Sequence, residues 1–243
     1  MSRLRAQEGF TLPEMLTAMS ISIIVLLGAF GLLDVALKRT GETRARVETA
    51  QVGREALETI TQQLRSQVCP TNAIPSIAAA TASSITFYTD LSDGTAAVKD
   101  RVQKRVLTYD PVARKITQSV YLPTGVGSAG TPPGPTFPAA PSSTRVLATN
   151  VDRDGTEPIF RYYAFAPGTA ATATAAATAA TPTSELTAPT TTADLARIAR
   201  ITLVFAVKSA TTTMGDRGSL TLHDQVMVRS ANPNDLAPVP KCA

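Results

Sequence analysis

The sequence predicts an α+β protein: a long N-terminal helix, membrane-spanning in its first half, packed on a mainly antiparallel β-sheet head. Three observations predict it. No charged residue lies between Met15 and Leu33. Beyond that run, apolar residues keep helical spacing as far as Val68. After Pro70 the pattern changes to short alternating runs separated by turn residues.

The uncharged run, as a helix rising ~1.5 Å per residue, spans about 28 Å, close to the ~30 Å of a bilayer's hydrocarbon core. A cleaved secretory signal would have a shorter apolar core and a small-residue cleavage site on its far side. Here the far side reads Asp34-Val35-Ala36-Leu37-Lys38-Arg39. Lys38, Arg39, Arg44 and Arg46 outnumber Arg3 and Arg5 on the other flank, so charge counting taken alone puts the C-terminal side in the cytoplasm.

The second half of the helix is amphipathic. Val47, Ala50, Leu57, Ile60, Leu64 and Val68 lie on one face, and Arg44, Arg46, Glu48, Arg54, Glu55, Glu58 and Arg65 on the other. Pro70 ends it. A helix from Phe10 to Val68 would be about 88 Å long. Gly28, Gly31 and Gly41 offer close packing or local melting within it, though glycine is common in membrane helices.

Seven strands are expected in the head: Ile85–Tyr88, Arg101–Tyr109, Ile116–Leu122, Arg145–Val151, Ile159–Phe165, Ile198–Val207 and Ser219–Val228. Asp110-Pro111 marks a hairpin. Two stretches, 123–144 and 168–193, are rich in Pro, Ala, Thr, Gly and Ser and are expected as flexible loops. The second could carry O-glycans or be a plain insertion.

Composition excludes more than it proposes. The chain has 243 residues, 44% of them hydrophobic, and a net charge of +4 with no clustered basic face. Direct nucleic-acid binding is therefore not expected. Cys69 and Cys242 are too few for a disulfide framework or a zinc site. In a head outside the cytoplasm they are either a single bridge or two unrelated thiols. The single histidine, His223, has no nucleophile or base to work with, and reads as a surface or packing residue. Asp152-Arg153-Asp154-Gly155 lacks the further carboxylates of a calcium loop and reads as a turn. No glycine-rich phosphate loop or paired-Cys motif occurs, so no catalytic residue, metal or cofactor is expected, and no enzyme.

Residues 7 to 16 read Gln-Glu-Gly-Phe-Thr-Leu-Pro-Glu-Met-Leu. A short charged leader, a Gly before Phe-Thr-Leu, and a lone Glu ahead of the apolar run together resemble the N-terminus of type IV prepilins. The resemblance implies cleavage by prepilin peptidase between Gly9 and Phe10, and N-methylation of Phe10. It implies a role for Glu14 in a salt bridge to the amine of a neighbouring subunit's Phe10. The plainer reading leaves Glu14 at the membrane interface, where a helix N-terminus tolerates a negative charge. Pro13 departs from the commonest pattern, yet proline suits a helix's first turn.

On this resemblance the chain divides into a leader (1–9), an assembly half-helix (10–34), an amphipathic half-helix (35–69) and a head outside the cytoplasmic membrane (70–243). The order of the phrases Arg145–Val151, Phe160–Tyr163, Arg197–Leu203 and Val226–Arg229 resembles J-type minor pseudopilins and W-type minor pilins. That implies a low-abundance subunit of a type IV pilus or type II secretion-like filament, with other subunits, the peptidase and an inner-membrane platform as partners. The competing expectations are a single-pass anchored adhesin or ligand-binding protein and, weakest, a membrane-anchored enzyme.

Overall fold

The computed structural model describes residues 10–71, 74–90, 102–126, 134–164, 182, 184–187, 191–208 and 219–228. The chain forms two compact units, Met1–Val47 and Glu48–Ala243. Helix α1, Leu12–Arg65, begins in the first and ends in the second.

Between Met15 and Leu33, within the first unit, α1 carries no charged residue and is apolar on every side. Phe10, Leu12, Ile24, Leu27, Phe30 and Leu32 are each at least 65% exposed, and the segment is long and apolar enough to cross a membrane. Its few hydroxyls turn back on the helix: Thr17, Ser20 and Ser22 donate to the carbonyls of Glu14, Leu16 and Ala18 at 3.0, 2.8 and 2.8 Å. Where lipid replaces water, such internal bonds are the available way to satisfy them. Past the apolar run, Lys38 pairs with Asp34 at 2.8 Å, one turn away.

The second unit holds the head. Strands β1 (Ile77–Ala80), β2 (Ser84–Asp90), β3 (Val102–Asp110), β4 (Lys115–Tyr121) and β7 (Ser143–Thr149) form one antiparallel sheet in that order. A second antiparallel sheet runs β10 (Ser184–Leu186), β9 (Phe160–Ala164), β11 (Arg200–Val207), β12 (Leu220–Met227), with β8 (Val151–Asp152) also pairing β11. β5 (Gly125–Val126) and β6 (Pro135–Thr136) make a small ribbon. A short helix α2, Thr192–Arg197, is capped by Thr191, whose hydroxyl oxygen accepts the Asp194 amide.

Each of the seven expected strands has a counterpart, but there are two sheets rather than one. The division falls at Asn150. Its positive φ of 56° bends the chain after β7, so Val151 and Asp152 leave the first sheet and pair with β11 in the second. One expected strand, Arg145–Val151, therefore serves both sheets. The core lies between them and α1, with Ile60 and Leu64 from the helix, Phe87 and Leu107 from the first sheet, and Phe160 and Phe205 from the second.

Three expectations need correction. The helix ends at Arg65, not Val68, because Gln67 bridges to Thr89 and the Val68 amide donates to Tyr88 at 3.0 Å, which draws the chain onto β2. The buried stripe of α1 is Gly53, Ala56, Ile60, Thr61, Gln63 and Leu64, while Val47 is exposed. Third, the two stretches expected as loops contain ordered pieces. Within 123–144, Phe137 stacks on Tyr88 with ring centroids 5.7 Å apart, and Lys104 lies over Tyr121 and Phe137, which seats the β5–β6 ribbon. Within 168–193, β10 pairs with β9.

The hairpin at Asp110 forms as expected. Its carboxylate accepts the amides of Val112 and Ala113 at 2.9 Å each, and Arg114 takes the left-handed conformation at φ 50°. The Ala113 bond is the main reason its carboxyl sits below the usual carboxylate range.

Candidate assembly segment

The candidate site is the N-terminal end of α1. Thr11 precedes the helix, and its carbonyl accepts the amides of Glu14 and Met15 at 3.0 and 3.2 Å. Pro13 stands in the first turn, where the helix requires no amide from it. Glu14, exposed, is the acidic residue of that turn, at the positive end of the helix dipole. Phe10 is 79% exposed just ahead.

Such a surface requires a cover. A contiguous apolar face this large does not stay in water; it faces lipid or other protein chains. A carboxylate at its head is costly in lipid unless paired. The arrangement thus combines a non-polar packing surface with one charge able to select a cationic partner.

Residues 4–30 match the prokaryotic N-terminal methylation motif. The match covers Gly9, Phe10, Glu14 and most of the apolar run. Among solved structures, a chain of the GspK-GspI-GspJ complex from the enterotoxigenic Escherichia coli type 2 secretion system is similar at 10% identity. The similarity covers 76% of this chain and 99% of that one, with a TM-score of 0.39. No curated protein matches this chain.

Of the expected site residues, Gly9 and Cys242 lie outside the described residues. Cys69 follows the end of α1, is half-buried, and carries no free thiol. His223 is exposed on β12 opposite Val204. Asp152 is engaged by Arg114 at 3.1 Å and Lys208 at 3.0 Å, and Gly155 has a positive φ of 60° in the turn that follows. Among the described residues, no group of three or more His, Cys, Asp or Glu side chains is placed to hold a metal ion.

Two contacts escaped the sequence reading. Gly53 lets α1 lie close to the second sheet: a Cβ there would come 2.6 Å from Leu222 Cδ1 and 3.1 Å from Val207 Cγ2. Thr61 donates its hydroxyl to Asp224 at 2.9 Å. The one available signal was a glycine and a threonine on an otherwise apolar helical stripe.

Proposed function

We propose that this chain is a minor pilin or pseudopilin, a structural subunit that prepilin peptidase cleaves between Gly9 and Phe10. It then enters a type IV pilus or type II secretion-like filament through α1. The observation that carries the reading is the coincidence of the methylation motif over residues 4–30 with Glu14 in the first turn of a helix whose first half is exposed and apolar on every side. In this reading Phe10 is N-methylated, and its amine meets Glu14 of a neighbouring subunit. That pairing offsets the cost of two charges in an apolar bundle and sets the axial register. Before assembly the chain sits in the cytoplasmic membrane with its head outside; afterwards lipid is exchanged for the helices of other subunits. An inner-membrane platform is the further partner. Since the head lies in an oxidising compartment, Cys69 and Cys242 are bridged, which pins the C-terminal tail to the end of α1.

The test is the mass of the N-terminal peptide from protein isolated from its host's envelope. A chain beginning at N-methylated Phe10 is expected. A chain still beginning at Met1, in cells with active peptidase, would overturn the proposal and leave an anchored surface protein as the reading. Peptide mapping without reduction tests the bridge; two free thiols in the exported protein would remove it.

A further inference from the structure

Among the described residues the edge strands of the head's two sheets are β1, β7, β10, the two-residue β8 and β12, and all but β12 are blunted. β1 has four residues and an irregular pairing between Ile77 and Ala79. β10 has three residues. β7 meets β4 through a register shift at Ile116/Thr117. Short edges and bulges keep a sheet from pairing with another chain. β12 has neither protection. Its eight residues pair with β11 in unbroken register, and it contains no Lys or Pro. Among the described residues, no strand pairs with its outer side.

The Val228 amide donates inward to Ala199. By the alternation of an antiparallel ladder, even-numbered residues of β12 turn their amides to β11 and odd-numbered ones turn them outward. Gln225 belongs to the outward set. Its amide donates to Oδ1 of Asp224 at 2.7 Å, while Oδ2 of the same carboxylate accepts the Thr61 hydroxyl at 2.9 Å. Asp224 is the single acidic residue of β12 and lies on its core-facing side, between Leu222 and Val226.

We infer that Asp224 guards the β12 edge against strand pairing with a second copy of this chain. An added strand must displace the carboxylate from the Gln225 amide and then bury it. Two β12 edges pairing about a two-fold axis would also bring both Asp224 carboxylates onto the same face of the joined sheet, where like charges repel. The inference does not depend on the filament reading.

The experiment compares the full chain in detergent with its Asp224→Val and Thr61→Val variants, by amide exchange at low and high protein concentration. In Asp224→Val the amides of Thr221, His223 and Gln225 are expected to exchange about tenfold more slowly at high concentration than at low. Wild type and Thr61→Val, which keep the carboxylate, show no such dependence. Two results would overturn the inference: a folded Asp224→Val with no concentration-dependent protection, or a Thr61→Val that associates as strongly, which would trace association to a loosened helix. Asp224→Asn, which keeps the volume and loses the charge, is read by the same criteria if the valine variant does not fold.

Discussion

Gln63 and Gln118 form a buried amide pair: Nε2 of Gln63 donates to Oε1 of Gln118 at 3.1 Å and ties α1 to the first sheet. Thr61, two residues earlier, bonds Asp224 of the second sheet. One turn of the helix therefore fastens both sheets.

Removing one partner of the glutamine pair strands the other. Gln118→Leu is expected to destabilise the head by about 1–3 kcal/mol, the usual cost of a buried polar group left without its bond. Replacing both glutamines by leucine should cost clearly less than the two single changes summed. Urea unfolding of the four members of this cycle checks it; strict additivity would mean the pair contributes nothing specific.

Gly53→Ala sets two effects against each other. Alanine gains about 1 kcal/mol of helix propensity. Its Cβ, however, requires the tip of Leu222 to rotate away and Val207 to yield by a few tenths of an ångström. The net change is expected within about 1 kcal/mol of zero. Gly53→Leu should cost at least about 1–3 kcal/mol by overpacking. Thermal melts separate the two. Gly28 has nothing within 4 Å, so Gly28→Ala should not weaken the isolated chain; a loss confined to filament assembly would locate Gly28 at a subunit contact.

Tyr162 makes the head sensitive to alkali. Its hydroxyl donates to the Thr81 carbonyl at 2.9 Å, and burial pushes the phenol far above the ordinary tyrosine range. Burial moves Tyr88 the same way. A phenol held neutral in the fold ionises near pH ~10 once unfolded. Its contribution is therefore complete below about pH 10 and declines as pH rises above that, towards the folded value. Tyr162→Phe should cost about 1 kcal/mol at neutral pH and flatten the alkaline decline. Denaturant titrations at neutral and alkaline pH measure both; an unchanged alkaline slope would assign the decline to other groups.

Glu14→Ala should leave the head's melting and the membrane insertion of the chain unaltered, since Glu14 is exposed outside the head's unit. Under the proposed function, the variant disappears from sheared filaments and accumulates in the membrane fraction. Immunoblots of the two fractions decide; normal incorporation would remove the register role of Glu14.

The α+β class, the seven principal strands, the apolar half-helix and the Phe10–Glu14 motif were readable from one-dimensional pattern, because each depends on residues close in the chain. Hydrophobic period distinguishes helix from strand, and an uncharged run of membrane length needs no tertiary partner to be recognised. Asp110 was legible for the same reason: its carboxylate bonds amides two and three residues ahead.

What escaped the pattern depends on residues far apart. Nothing local in Arg145–Val151 says that the chain changes sheets at Asn150; that follows from β11 being available to Val151. The helix stops at Arg65 because β2 captures Gln67 and Val68. Pro135–Thr136 is ordered in a segment of loop composition, with Phe137 beside it stacked against Tyr88. Gly53 reads in sequence as a helix weakness, yet it is the close approach to Val207 and Leu222. Local pattern carries backbone preference and amphipathicity, whereas edge pairing, sheet division and close contact are settled by which distant surfaces meet.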